Sequence, residues 1–203
     1  MPCSEPAIGA IVERARLATR VECQVPQLMR YRRTSVFLAS FMGLLCLGFA
    51  LPENASIPVE GAHRNDWNAK SFWHEPWGAS GVHKGIDIFA PHGTRVVSSV
   101  PGVVVYQGQL GIGGNVIAVL GPRWRIHYYA HLAEATQSAP RFVRRGTQLG
   151  AVGTSGNAVG KPPHLHYTVL SLVPLPWRYS SATQGWKQMF FLDPDAVLRT
   201  GGS

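Results

Sequence analysis

Cysteine is nearly absent from this chain: Cys3, Cys23 and Cys46 are the only three in 203 residues, and all precede residue 51. Beyond that point no disulfide framework can form, and thiolate is excluded as a metal ligand. Charge is also sparse, at 15% of residues against 45% hydrophobic, which fits a globular chain rather than a disordered one. The formal charge of +8 is scattered, with no dense Lys/Arg run and no nucleic-acid motif. An anionic envelope polymer is therefore expected as partner, and no nucleic acid. There is no H-E-x-x-H, no internal repeat, and after residue 80 no amphipathic pattern longer than two helical turns. The one long apolar run, Val36 to Leu51, has about 16 residues where a membrane span wants roughly 20.

That run does have the parts of an export signal. Arg30, Arg32 and Arg33 precede it, and Gly48-Phe49-Ala50 is a small-x-small pattern that places cleavage before Leu51. Met29 then reads as the true start, with residues 1–50 a signal peptide or N-terminal extension. The rival is an uncleaved inner-membrane anchor, so membrane contact is expected only through this segment. The expected location is the periplasm or cell envelope. Past residue 50 the chain keeps 13 Lys and Arg against 8 Asp and Glu, and it holds all eight histidines.

What is abundant is punctuation: 22 glycines and 15 prolines break the sequence into short runs. Residues 51–80 read as a lead-in with Trp67, Trp73 and Trp77, taken mostly as core anchors. Residues 81–203 read as the functional domain. Seven runs rich in β-branched and aromatic residues follow one another there, at 86–89, 95–98, 103–107, 115–120, 125–131, 147–152 and 164–170. The pattern predicts a mainly β fold, an antiparallel barrel or sandwich. Asp193-Pro194 predicts an N-cap and first turn of a short helix through Leu198. Trp177, Trp186, Phe190 and Phe191 are expected to pack the C-terminal segment onto the barrel.

The chemistry is expected where imidazoles gather. In Pro163-His164-Leu165-His166-Tyr167 the two histidines share a face only if the segment is extended. One then suits a metal ligand and the other a neighbouring base. His83 and Asp87 stand four residues apart in His83-Lys84-Gly85-Ile86-Asp87. In a straight strand that separation is ~13 Å, too far to share an ion, so Gly85 is expected to allow a kink. Nitrogen and oxygen donors without sulfur favour zinc, with an open position for water. His131 adds an imidazole at a strand end. His127 shares its face by alternation but is ranked as scaffold. His92 is explained by a turn, and His63 by a polar surface.

These motifs resemble the lysostaphin-type (LytM-like) zinc metallopeptidases of family M23, which cut peptide crosslinks in bacterial peptidoglycan. The resemblance rests on His-Lys-Gly-Ile-Asp-Ile with Ala-Pro-His-Gly-Thr after it, Gly-Gly-Asn-Val-Ile, and Tyr-Ala-His-Leu. It rests equally on Arg-Gly-Thr-Gln-Leu-Gly-Ala-Val-Gly and on Gly-Asn-Ala-Val-Gly-Lys-Pro-Pro-His-Leu-His-Tyr. It implies a barrel-sandwich (duplicated hybrid motif) fold, with zinc on His83, Asp87 and His166. It further implies that His131 and His164 divide the roles of base and oxyanion stabiliser on peptidoglycan peptide stems. The tyrosine that many members carry shortly before the first ligand is missing from Phe72-Trp73-His74-Glu75-Pro76-Trp77, so His74 is the possible oxyanion helper. The competing reading is a catalytically inactive relative that binds the wall and regulates an amidase. Biotin or lipoate carriage is set aside, because no lysine sits at a hairpin tip. The D-Ala–diaminopimelate crosslink is favoured over a glycine bridge only by charge and export.

Overall fold

The computed structural model describes residues 33–133 and 139–201. The expected start at Met29 and the basic Arg30 and Arg32 lie outside the described residues. Helix α1, Arg33–Ala50, is long and apolar enough to cross a membrane by length and composition.

The body is mainly β. Strands β1 (Ile86–Phe89), β8 (His164–Ser171), β5 (Arg125–Leu132), β4 (Asn115–Gly121), β3 (Gly102–Gln109) and β6 (Phe142–Val143) form one antiparallel sheet in that order. Strand β9 (Phe191–Leu192) pairs with β8, while β2 (Arg95–Val97) and β7 (Gln148–Ala151) make a separate pair. The seven predicted runs are all strands. The two-residue β6 and β9 were not anticipated, since a pair of residues carries no periodicity. The predicted helix is α2, Pro194–Thr200, and the Asp193 carboxylate caps it by accepting from the Asp195 amide.

Strand β8 organises the sheet because it alternates without interruption. Leu165, Tyr167 and Val169 point into the core and are fully buried, while His164, His166, Thr168 and Leu170 line the opposite, cleft face. Tyr167 stands opposite Ile86 on one side and Tyr129 on the other. Ile86 and Ile88 are also fully buried; each contributes about 1.5–3 kcal/mol through removal of apolar surface from water. Three residues between 51 and 80 reach this core. Ala55, Val59 and Trp67 are buried, and Val59 pairs with Val96.

His127 closes a polar network on the core side. Its Nε2 meets Glu53 Oε1 at 3.1 Å and its Nδ1 meets the Tyr167 hydroxyl at 2.7 Å. Glu53 also pairs with Arg125. Burial pushes the His127 imidazole below its ordinary pKa, although the hydrogen bond and charge of Glu53 oppose this. The unfolded chain takes up that proton near pH 6.5, whereas the native chain resists. Stability contributed here is complete above about pH 6.5 and declines as pH falls toward the lowered native value. Thermal unfolding between pH 7.5 and 5 is expected to show a shallower decline for His127→Gln than for the parent; equal slopes would refute this.

The C-terminal aromatics correct the expectation made for them. Trp177 is 79% exposed and Trp186 is 54% exposed, because the two short 3-10 turns that carry them, Pro176–Arg178 and Gly185–Met189, fold chiefly on each other. Phe190 and Phe191 are the members of that group that reach the sheet, Phe190 through its carbonyl, which accepts from the Ser171 amide at 2.7 Å, and Phe191 on β9.

Candidate metal centre and cleft

Antiparallel register brings the first pair of site residues together: Asp87 of β1 lies directly opposite His166 of β8. Their side chains share the cleft face, with His166 Nδ1 at 2.8 Å from Asp87 Oδ1. His83 arrives from before the strand. Its backbone is clipped to the 73–74 segment, Trp73 N donating to His83 O and His83 N donating to His74 O. This turns the ring back so that Nε2 stands 3.1 Å from Asp87 Oδ1 and 3.2 Å from His166 Nδ1.

Gly85 makes the turn possible, though not through a left-handed kink. A Cβ at this position would stand 2.5 Å from the Tyr167 carbonyl oxygen and 2.9 Å from the His166 ring. The glycine is required by close approach of β8's backbone, which cannot yield as a flexible side chain would. Gly85→Ala is expected to push β1 off β8, lowering the melting temperature and weakening metal binding together. A variant with parental stability and metal affinity would show the contact to be harmless.

Each imidazole is held by one nitrogen and offers the other. The carbonyls of Ser71, Ser155 and Pro162 can only accept, so His83, His131 and His164 each donate Nδ1–H, at 3.1, 2.9 and 2.8 Å respectively. Their Nε2 atoms are left as bare lone pairs. His166 is held the other way round: Thr168 Oγ1 lies 3.0 Å from Nε2 and can accept its proton, freeing Nδ1. His164 Nε2 is 4.0 Å from Asp87 Oδ1, and the His131 and His164 rings meet edge-on at 5.0 Å.

Alternation along β5 would aim His131 into the core with His127. A bulge prevents this. Ile117 faces Tyr129 and Asn115 faces Leu132, leaving an extra residue between them, and His131 takes a left-handed φ of 60°. The ring swings to the cleft side, while His127 stays buried behind the sheet. The Ser155 carbonyl that receives His131 is fixed in turn. Its hydroxyl donates to Leu132 O and accepts from Asn115 N. Gly114, at φ 65°, packs against Ser155 and Gly156 so closely that a Cβ would reach 2.3 Å from the Gly156 amide.

The charges follow from this packing. Burial pushes the Asp87 carboxyl upward, but in the absence of a cation a second proton on His166 or His83 would supply a hydrogen bond and positive charge that outweigh burial and hold the group well below the usual carboxylate range. Burial, reinforced by the charges of His166 and His164, lowers His131 to about 4. His166 is lowered by burial against the pull of Asp87.

His74 is corrected. It is exposed, stands edge-on to Trp77 at 6.1 Å, and does not line the cleft, so it has no reach to a reacting carbonyl. Trp77 takes the inner position, stacked on His83 at 4.1 Å. Of the three tryptophans, Trp67 is core, Trp73 is half-buried, and Trp77 walls the cleft. The cleft encloses about 670 Å³.

Residues 81–173 match peptidase family M23. This stretch is an M23 peptidase domain. Over 114 aligned residues the chain is 38% identical to the L-Ala–D-Glu endopeptidase of Bacillus subtilis, covering 51% of this chain and 35% of that protein. Peptidoglycan DD-endopeptidase ShyC of Vibrio cholerae is 31% identical over 97 residues, 48% of this chain and 22% of its own length. The chain thus spans about a third or less of these relatives. The structure of the antimicrobial peptidase lysostaphin from Staphylococcus simulans superposes with a TM-score of 0.56 at 23% identity, over 75% of this chain and 56% of that one. The antiparallel M23 fold is shared with it.

The M23 site also contains residues that the sequence reading did not select. Thr168 was within reach, because it is two residues beyond His166 on the same face of a strand. Ser71, Ser155 and Pro162 were not, because each acts through its main-chain carbonyl and any residue type could supply one.

Proposed function

We propose that this chain is a zinc metalloendopeptidase that hydrolyses peptide crosslinks of peptidoglycan after export to the cell envelope. The observation that carries the reading is one cluster of donors, His83 Nε2, Asp87 Oδ1 and His166 Nδ1, faced across the cleft by His131 and His164. Donors around a four-coordinate zinc at about 2.0–2.1 Å stand roughly 3.3–3.4 Å apart. The three donor atoms here lie 2.8–3.2 Å from one another, and two bare nitrogens aimed at each other call for a cation between them. The donor set therefore fits zinc. When bound there, the ion supplies Lewis acidity to a water and to the scissile carbonyl.

The remaining work belongs to the protein. Burial keeps His131 neutral near pH 7, so its Nε2 can take a proton from the attacking water. His164, tied at Nδ1, presents its own Nε2 to the same space, where with a second proton bound it would donate to the developing oxyanion, while His131 returns the proton it took to the leaving amine. The stacked Trp77 restricts water on the His83 side. Cleavage after Ala50 releases a chain that begins at Leu51, with Glu53 still available to its buried network.

Incubation of the purified chain with crosslinked peptidoglycan tests the assignment. Muropeptide mass spectrometry is expected to show crosslinked dimers converted to monomers, with conversion stopped by a chelator and restored by zinc. Zinc uptake without conversion would replace the enzyme by a binding protein.

A further inference from the structure

The cleft holds a hydroxyl that neither the fold nor the proposed hydrolysis uses. Tyr128 lies on β5 directly opposite Thr168 and lines the cleft. Three other tyrosines are tied within the protein. Tyr106 donates to the Gln109 carbonyl at 2.7 Å, and Tyr129 and Tyr167 each meet Ser99 Oγ at 2.8 Å. The Tyr128 hydroxyl meets no hydrogen-bonding group among the described residues, yet it is not sealed from solvent; of the described side chains, that combination belongs to Ser71 Oγ. Burial, reinforced by Tyr106, raises the Tyr128 phenol above its ordinary pKa, so at neutral pH it keeps its proton and can donate.

Room for the hydroxyl is made by a glycine. Gly113 closes the 3-10 turn Gly111–Gly113, and a Cβ there would stand 2.2 Å from the Tyr128 hydroxyl. Its φ is not left-handed, so the missing side chain serves this close approach and not the turn. The next residue, Gly114, packs on Ser155, whose carbonyl holds His131. The hydroxyl therefore stands on the His131 flank of the cleft. Ile112, Gly113, Ile126 and Tyr128 line that flank, and of these four only Tyr128 brings a polar side-chain atom. A lone polar group on an apolar wall fixes the orientation of a ligand, and it costs free energy if a ligand expels water from it without replacing the hydrogen bond.

We propose that the Tyr128 hydroxyl is a substrate-binding group that donates a hydrogen bond to a main-chain carbonyl of a peptide lying along β8. This rests on the hydrolytic reading above and adds to it the residue that sets how the peptide lies in the cleft. An extended peptide turns its carbonyls sideways, toward one flank and then the other. On the His83 flank Trp77 presents the face of an indole ring, which cannot donate to a carbonyl. On the His131 flank Tyr128 supplies a donor. Since every residue of the peptide has a carbonyl, the contact fixes depth and orientation without selecting a side chain.

Tyr128→Phe tests this, because it keeps the ring and removes only the hydroxyl. Zinc content and melting temperature are expected to stay parental, since no protein group loses a partner. On a crosslinked stem-peptide dimer, the zinc-loaded full chain carrying Tyr128→Phe is expected to show a KM raised about three- to tenfold with kcat unchanged. That is the range for one uncharged hydrogen bond made equally in the ground and transition states. A parental KM, or a loss confined to kcat, overturns the contact while leaving hydrolysis intact. A fall in melting temperature that accounts for the lost activity overturns it too, because the hydroxyl would then serve the fold. Calorimetric binding of the same dimer separates this claim from hydrolysis. If the parent binds without cleaving and Tyr128→Phe binds about three- to tenfold more weakly, the contact stands and hydrolysis falls; equal or absent binding without cleavage removes both.

Discussion

Asp87→Asn is expected to lose zinc and hydrolysis together while keeping its fold. One oxygen of this carboxylate meets His83 Nε2 at 3.1 Å, His166 Nδ1 at 2.8 Å and His164 Nε2 at 4.0 Å, so three imidazoles are arranged around a single negative charge. Asparagine preserves the volume and removes the charge. It also offers an N–H where a cation should sit. Loss of a group that merely orients a ligand costs about 10–100-fold in metal affinity, so loss of the ligand itself should exceed that. Turnover should fall by about 10²–10³-fold or more, the scale set by removing one charge-stabilising group from a hydrolytic site. Metal content by mass spectrometry, hydrolysis and thermal unfolding should be read on one preparation. His74→Ala serves as the comparison, and parental behaviour is expected of it. If Asp87→Asn keeps zinc at parental affinity, the carboxylate is no ligand and the donor set must be redrawn.

The ease with which the sequence yielded the Asp87–His166 half of the site has a physical cause. Regular strands obey a period of two, so the shared face of His164 and His166 is reported directly by their spacing, whereas the placement of Asp87 opposite His166 is set by the register of β1 on β8. His83 was harder, because its position depends on backbone bonds to Trp73 and His74, residues ten and nine positions away that carry no motif. His131 was hardest. Alternation groups it with His127, and only the extra residue in β5 separates a buried scaffold histidine from a cleft histidine. The misreading of His74 has the same origin. A missing tyrosine invited a substitute from its neighbours, but the turn at 77–81 gives the inner position to Trp77, whose ring stacks on His83. The exposed Trp177 and Trp186 show the limit of composition as a guide, because an aromatic in a turn has no sheet face to join.

Substituting His131 is expected to leave zinc in place and remove turnover, and the bulge makes this separable from misfolding. The imidazole contributes no donor to the His83–Asp87–His166 cluster. Its removal should lower kcat by about 10²–10⁴-fold, the range for a positioned general base, with metal content unchanged. Two variants should be compared. At φ 60° an alanine keeps the steric penalty of a left-handed residue, whereas glycine does not, a difference of about 1–2 kcal/mol. His131→Gly should therefore melt higher than His131→Ala, although both are equally inactive. That ordering would mean the strand holds an unfavourable backbone angle for the sake of the ring that it aims. If activity instead follows stability, so that the glycine variant recovers turnover, His131 acts by shaping the bulge, and the proton must be taken by His164.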